Sequence, residues 1–351
     1  MKTGKNRRSD RHGAYLAVYL GLMALAVVVG TVRAEHVPAD WNDMELHKWY
    51  DMVPLAEPVS EIVTDPLIPG RLYGLREKDD GSWMPVTSSD DGQTWQAFDD
   101  GIRTPINSIT CHHLHVVQSG ADQRRLFVIG DELEFDYYQR TQVMYSRQDL
   151  TSPWTECVVG TTDTRLIGVS AHSSGTVLLS TEASPGDVFL AKIRRSTDWG
   201  STWQTVYSNP MGNYYNDMRF SPFDDGTVYA CGWCYDETQL IKSSDWGQTW
   251  QTTNFPYDTT PLPRHIFYHP DLPDAVFVTL EERFHSIPYC IKVSWDGGDT
   301  WQNYGPRYDE KEMKLCCVFF DPLDSSTVII SGAWSHIWKS TDAGTDAGKT
   351  G

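Results

Sequence analysis

Short apolar runs separated by polar turns dominate the chain after residue 34. In three places an apolar run, a turn containing Asp or Pro and a second apolar run follow one another, at residues 218–230, 265–278 and 315–330. Runs of β-branched and aromatic residues bounded by Asp, Pro and Gly are typical of strands in an antiparallel meander. No stretch beyond residue 34 has a convincing helical period. The pattern therefore predicts an all-β protein.

One polar octapeptide, Ser-x-Asp-x-Gly-x-Thr-Trp, recurs at 88–95, 196–203, 243–250 and 294–301, and a fifth copy at 340–345 lacks the tryptophan. Ser and Asp side chains can accept hydrogen bonds from backbone N–H groups just ahead in the chain, and glycine permits a positive φ. Each copy is therefore interpreted as a structural turn that closes one hairpin. The repeated residues are Asp90, Gly92, Trp95, Asp198, Gly200, Trp203, Asp245, Gly247, Trp250, Asp296, Gly298, Trp301 and Asp342.

The spacing of the copies predicts six units. Their serines lie 108, 47, 51 and 46 residues apart, so the first step spans two periods. A degenerate copy at 146–154, one residue longer and without its glycine, lies near the middle of that step. A period of about 50 residues suits a unit of four short strands, and repeats of this length build propellers.

The two ends of the repeat array complement each other. Trp49 stands where the other units place the tryptophan after the turn, whereas the last unit ends after Ser340 without a fourth strand. A strand around Trp49 that completes the last unit would close the ring and remove exposed sheet edges. We therefore expect a six-bladed β-propeller over residues 41–346, closed by an N-terminal strand, with a short tail at 347–351. A truncated product that lacks further blades is the alternative.

The N-terminus has the pattern of a targeting segment. Basic residues from Lys2 to Arg11 precede an uncharged stretch at 13–32, and the small residues Val32 and Ala34 offer a cleavage site. Residues 1–34 are interpreted as a signal peptide, with an uncleaved membrane anchor as the alternative. Either segment predicts that the folded part is secreted, periplasmic or at the cell surface.

The acidic net charge of the chain limits the classes of partner that it is expected to bind. The formal net charge is −18, and such a surface repels nucleic acid and anionic lipid. We therefore expect no nucleic acid and no membrane contact beyond the signal or anchor segment, and we expect a monomer.

Seven cysteines leave at least one thiol without a partner in the same chain. Cys231 and Cys234 have the CxxC spacing of a redox motif, but no βαβ pattern surrounds them, which favours a loop disulfide or buried thiols. No second CxxC or HxxxH follows at the spacing of zinc ligands. No metal and no cofactor are therefore expected.

The octapeptides resemble the Asp-box, or bacterial neuraminidase repeat, over nearly the whole chain after the signal segment. Asp-boxes occur in the propellers of sialidases, xyloglucan-cleaving glycosidases, sortilin-type receptors and a photosystem assembly factor. The resemblance implies a propeller, and it is unspecific for activity because one fold hosts many functions.

The resemblance also implies that the octapeptide turns lie on one edge of the propeller and that ligands bind the opposite edge, over the central channel. The connections expected there carry carboxylates, aromatic rings and arginines. The candidate catalytic carboxylates are Glu134, Asp236 and Glu281. Ligand contacts are predicted for Arg103, Tyr137, Tyr138, Arg165, Trp233, Tyr235 and Arg264.

Two functions remain in competition. Sialidases resembling this family carry an Arg-Ile-Pro segment, whereas residues 68–71 read Ile-Pro-Gly-Arg, in the wrong order. The xyloglucan-cleaving relatives use two propellers, and this chain has room for one. The favoured interpretation is non-catalytic binding of a glycan, peptide or protein ligand over the channel. The alternative is a glycoside hydrolase, sialidase-like or cleaving β-glucan or xyloglucan, which needs two suitably separated carboxylates.

Overall fold

The computed structural model describes most of the repeat region. The described residues are 59–78, 82–102, 109–132, 141–157, 164–183, 190–209, 212–223, 225–234, 237–256, 262–281, 291–305, 315–321, 324–332 and 337–341. The predicted signal segment at 1–34, the strand around Trp49 and the tail at 347–351 lie outside them. Within these ranges no helix is long and apolar enough to cross a membrane.

Six small antiparallel sheets, each a meander of consecutive strands, form the six blades of a β-propeller. The strands of the first three blades are β1 (Val59–Thr64), β2 (Leu72–Glu77), β3 (Trp83–Ser88), β4 (Gln96–Ala97), β5 (Ile109–Gly120), β6 (Gln123–Glu132), β7 (Thr141–Arg147), β8 (Thr155–Cys157), β9 (Thr164–Ala171), β10 (Val177–Ala183), β11 (Leu190–Ser196) and β12 (Gln204–Asn209). The strands of the last three are β13 (Gly212–Phe220), β14 (Val228–Cys234), β15 (Glu237–Ser243), β16 (Gln251–Thr252), β17 (Leu262–Tyr268), β18 (Val276–Glu281), β19 (Ile291–Ser294), β20 (Gln302–Tyr304), β21 (Leu315–Asp321), β22 (Asp324–Gly332) and β23 (Ile337–Ser340).

The prediction of an all-β, six-bladed propeller is confirmed. The degenerate copy at 146–154 is the turn between β7 and β8, so it marks the second blade as the spacing predicted. The sixth sheet has three strands within the described residues. Because the segment around Trp49 lies outside them, closure of the ring by an N-terminal strand stays a prediction.

The core consists of apolar layers between neighbouring blades. The middle strand β6 shows how this arises, because successive side chains of a strand point to opposite faces. Leu126 and Val128 pack toward the first blade, whereas Phe127 and Ile129 pack toward the third. Both faces of the strand are buried, and its sequence is therefore a continuous apolar run instead of an alternating one.

The first strands of the blades lie innermost and line the central channel. Neighbouring first strands contact one another from β1 through β5, β9 and β13 to β17. One bond shows the close approach of β13 and β17: the Asn216 side chain donates to the Pro263 carbonyl at 2.9 Å. A second bond joins β13 to the second strand of the third blade, where the Tyr215 N–H donates to the Ser180 hydroxyl on β10 at 3.3 Å. Side chains from several blades can therefore meet on the propeller axis.

Candidate functional site

The octapeptide turns use their polar groups internally. In the four complete copies the serine hydroxyl accepts the glycine N–H at 2.7–2.9 Å, and the aspartate accepts the threonine N–H at 2.8–2.9 Å. The glycines have φ values of 77° to 97°, as the sequence predicted. Hydrogen bonds from neighbouring hydroxyl groups lower the pKa of Asp198 and of Asp296 to about 2. This geometry agrees with a structural turn, since the aspartate is occupied within its own turn.

Each complete octapeptide is also tied to the turn between the first two strands of its blade. The residue before the glycine donates its N–H across this edge: Trp199 to Gly175 at 3.1 Å and Trp246 to Gly226 at 2.9 Å. The same bond runs from Asp91 to Gly70 and from Gly297 to Asp274. The octapeptides and the turns between first and second strands therefore form one edge of the propeller, which we call the octapeptide edge.

Cations from one blade bind the octapeptide of the next blade. Arg195 Nε donates to the Trp246 carbonyl at 2.8 Å, and Lys242 Nζ donates to the Gly297 carbonyl at 2.7 Å. A polar cavity of about 230 Å³ lies beside the second contact, between the turns of the fourth and fifth blades, with Gln251 and Asp299 in its lining. Two basic residues at this edge, Arg195 and Lys242, therefore attach one blade to the next.

Four of the predicted site residues have backbone positions at the edge opposite the octapeptides. Arg165 and Arg264 lie near the starts of β9 and β17, and Trp233 and Glu281 lie near the ends of β14 and β18. Because strand starts and ends alternate in a meander, these positions share one edge. The other predicted residues lie outside the described ones: Arg103, Glu134, Tyr137, Tyr138, Tyr235 and Asp236. Asp342 of the fifth octapeptide also lies outside them.

Arg165 is the predicted ligand residue whose surroundings are defined best. Its side chain is 63% exposed, and its guanidinium lies 3.5 Å from the carboxylate of Glu182 near the end of β10. Burial raises the pKa of Glu182, and the charge of Arg165 opposes that rise. The edge thus presents an exposed cation beside a largely buried carboxylate.

A second group of polar side chains converges inside the channel from four different blades. We call it the channel cluster, and it consists of Glu61, His115, Asp217, Arg219 and His265. These residues lie on β1, β5, β13 and β17, which are all first strands. Arg219 is close enough to Glu61, His115 and His265 for their charges to influence one another.

Asp217 is the best-connected member of the cluster. Its carboxylate accepts the Ile266 N–H at 3.0 Å, pairs with Arg219 Nε at 3.0 Å and lies 3.9 Å from His265 Nδ1. The negative charge of Asp217 raises the pKa of Arg219. The carboxylate therefore joins the fourth and fifth blades and fixes the guanidinium in the channel.

The two histidines of the cluster favour their neutral forms. Burial is the main cause that lowers the pKa of His115 to about 3, and the charge of Arg219 adds to it. His115 Nε2 also accepts the Ala171 N–H at 3.1 Å, which requires an unprotonated nitrogen. Burial likewise lowers the pKa of His265, with Asp217 acting in the opposite direction.

The channel cluster was not predicted from the sequence, because its residues lie in strands and the predicted site residues lie in or beside the connections between strands. A usable signal exists in the strands themselves. Asp217 and Arg219 alternate with the buried Met218 on an innermost strand, and His113 and His115 flank the buried Leu114. Charged or imidazole side chains at every second position of a first strand predict residues that face the channel.

Two cysteines of the described ranges are buried thiols. Cys157 and Cys231 are both free, and burial raises the pKa of each, which makes them poor nucleophiles. For Cys231 this agrees with the interpretation as a buried thiol and not with a loop disulfide. Within the described ranges no three His, Cys, Asp or Glu side chains are arranged to hold a metal ion.

Comparison with known families gives one partial match. A family model described as sortilin, neurotensin receptor 3 (Sortilin-Vps10) matches residues 191–290, less than a third of the chain. No curated protein matches the chain in sequence. Together with the six-bladed fold, the match supports the resemblance of the chain to the sortilin- and sialidase-like class of propellers.

Among similar solved structures, one has a TM-score above 0.5 and agrees with the propeller fold. A GH74 enzyme from Niastella koreensis is 16% identical with a TM-score of 0.57, over 82% of this chain and 46% of that one. An α-l-arabinofuranosidase from Fusarium graminearum is 12% identical with a TM-score of 0.48, over 80% and 92%. YCF48 from Cyanidioschyzon merolae is 12% identical with a TM-score of 0.37, over 82% and 97%. The chain spans about half the length of the GH74 enzymes it matches, 46% and 57%.

Proposed function

We propose that the protein is an exported, monomeric, non-catalytic propeller that binds a glycan, peptide or protein ligand over its central channel. The ligand contacts the edge opposite the octapeptides, where Arg165, Trp233 and Arg264 have their backbone positions. A propeller whose blades surround a central channel suits this role, because concave sites with a few placed polar groups are typical of ligand binding.

The observation that carries the proposal is the state of the carboxylates around the channel. Asp217 is held by a backbone N–H and by Arg219, and Glu182 lies against Arg165. A glycosidase requires one carboxylate poised as an acid and a second one free to act as base or nucleophile at a defined separation. Asp217 and Glu182 are thus engaged with cations, which favours binding over hydrolysis for these two carboxylates.

The test combines binding with a chemical readout. The exported chain is applied to arrays of sialosides, β-glucans, plant polysaccharides and peptides, and a bound ligand is then measured with the double variant W233A/Y235A. We expect at least about tenfold weaker binding, equivalent to ~1.4 kcal/mol, with unchanged melting temperature. The control Leu272→Ala removes an exposed apolar side chain at the octapeptide edge and should bind normally. Equal affinity of the double variant and the parent would refute the site.

Glycoside hydrolysis is the second candidate, and Glu182 is the observation that favours it. Burial raises the pKa of this carboxyl, which is the property of a general acid in this chemistry. Release of reducing ends from any polysaccharide of the panel, lost in Glu182→Gln or in a variant of Glu134, Asp236 or Glu281, would replace the binding proposal by hydrolysis.

A further inference from the structure

Arg219 has an unusual combination of fixation and exposure. Its Nε is held by Asp217, at 3.0 Å from one carboxylate oxygen and 3.2 Å from the other, yet 45% of its side chain remains exposed. Among the described residues, nothing else hydrogen-bonds to this guanidinium, so its two terminal nitrogens keep their N–H groups for another partner. A guanidinium held at Nε with both terminal nitrogens available is a preorganised fork.

The position of Arg219 separates it from the ligand residues predicted at the opposite edge. Arg219 is one residue from the end of β13 that leads into the octapeptide edge, and its carbonyl accepts the hydroxyl of Tyr268, the last residue of β17. Its side chain runs from there back to Asp217. The fork therefore lies in the octapeptide half of the channel, whereas Arg165 and Arg264 lie near the other mouth.

The first blade places a negative charge toward this fork. Glu61 has a φ of 50°, in the left-handed region, where the pairing of β1 with β2 shifts register between Ser60 and Val63. Such a bulge redirects a side chain, and a left-handed conformation in a non-glycine residue costs about 1–3 kcal/mol. Glu61 is exposed, and its charge acts on both Arg219 and His265. The strained backbone conformation therefore occurs at Glu61, the residue whose carboxylate charge acts on Arg219 and His265.

We propose that Arg219 binds an oxyanion, the carboxylate, sulfate or phosphate group of a ligand, through its two terminal nitrogens in the octapeptide half of the channel. Planar forks of N–H donors match two oxygens of such a group, and a guanidinium stays charged at every working pH. Asp217 keeps the fork aimed into the channel. Glu61 opposes the anion and limits its affinity. This site is additional to the ligand contacts of the proposed function.

The oxyanion site makes opposite predictions for two neighbouring charges. Arg219→Met removes the fork and should abolish binding. Glu61→Gln removes a like charge and should tighten binding about tenfold, equivalent to ~1.4 kcal/mol. A purely structural cluster would predict that both changes impair the protein. Lys192→Met is the matched control. This substitution also removes one cation, but Lys192 lies on the third strand β11, outside the channel.

The experiment is titration calorimetry on the exported chain with sodium acetate, methyl sulfate and methyl phosphate, at constant ionic strength set by chloride. We expect at least one anion to bind with one-to-one saturation, and the three arms distinguish a carboxylate from a sulfate or phosphate site. Arg219→Lys serves if Arg219→Met does not fold, and it should weaken binding about tenfold by losing the second contact.

Two results would overturn the inference. One is saturable binding that is equal in the Arg219 variants and the parent. The other is no saturable binding of any of the three anions, even to the Glu61→Gln variant. Neither result touches the proposed function, which is measured with Trp233 and Tyr235 variants and macromolecular ligands at the opposite edge. Conversely, anion binding at Arg219 would not by itself support the proposed function at the opposite edge.

Discussion

At the residue scale, the serine of the octapeptide stabilises the turn by hydrogen bonds. Ser243 is 2% exposed; its hydroxyl donates to Asp245 at 2.7 Å and accepts the Gly247 N–H at 2.9 Å. Three of the four tryptophans add an indole N–H bond of 3.1 Å to the glycine carbonyl. In the third blade the Trp203 indole nitrogen is instead buried, with no hydrogen-bond partner within the described ranges. The serine is therefore the more constant support of the turn.

Removing that hydroxyl should destabilise the protein without affecting ligand binding. Ser243→Ala leaves the Gly247 N–H buried without an acceptor, which costs about 1–3 kcal/mol. The matched control is Ser244→Ala, where the side chain is exposed and the change should stay within about 0.5 kcal/mol. Denaturant unfolding measures both variants, and equal stability of the two would show that the serine does not support the turn.

At the element scale, the second blade shows how a turn survives the loss of its octapeptide. Buried Arg147 replaces the missing bonds: its Nε donates to the Asp149 carbonyl at 3.0 Å and a terminal nitrogen donates to the Leu150 carbonyl at 2.8 Å. The other terminal nitrogen pairs with Asp100 of the first blade. The arginine thus holds the turn and joins two blades.

Arg147→Met should therefore be one of the most destabilising single changes in the second blade. It removes two hydrogen bonds within the turn and an ion pair between blades, and a loss of about 3 kcal/mol is expected. Thermal unfolding measures it against Lys192→Met, a cation on β11 that should cost less than about 0.5 kcal/mol. A loss for Arg147→Met as small as that of the control would contradict this account of the turn.

Sequence patterns predicted the elements better than the site. The repeated Ser, Asp, Gly and Trp are local signals, so the turns, the period and the degenerate copy at 146–154 were readable without tertiary information. Two features of the turns could not be predicted from the sequence, because they depend on contacts between turns. They are the role of Arg147 as a substitute and the left-handed backbone of Trp199 and Trp246 (φ 60° and 63°). The channel cluster depends on contacts between blades, among residues 46 or more positions apart along the chain, which no local pattern encodes.

At the scale of the whole molecule, the two edges of the propeller have different tasks. The octapeptide edge is held together by bonds within blades and by Arg195 and Lys242 between blades. The opposite edge carries the predicted ligand residues, and Arg165 there is largely exposed. The central claim is therefore that the edge with the repeated motif supports the fold, while the opposite edge binds the ligand.

Amide hydrogen exchange with and without a ligand selected on the arrays tests this claim most directly. The account predicts slower exchange at the starts of β9 and β17 and around the β14–β15 connection, because these segments border the opposite mouth of the channel. Exchange in the octapeptide turns at 196–203, 243–250 and 294–301 should not change. Protection confined to those turns, with none at the opposite edge, would contradict the account.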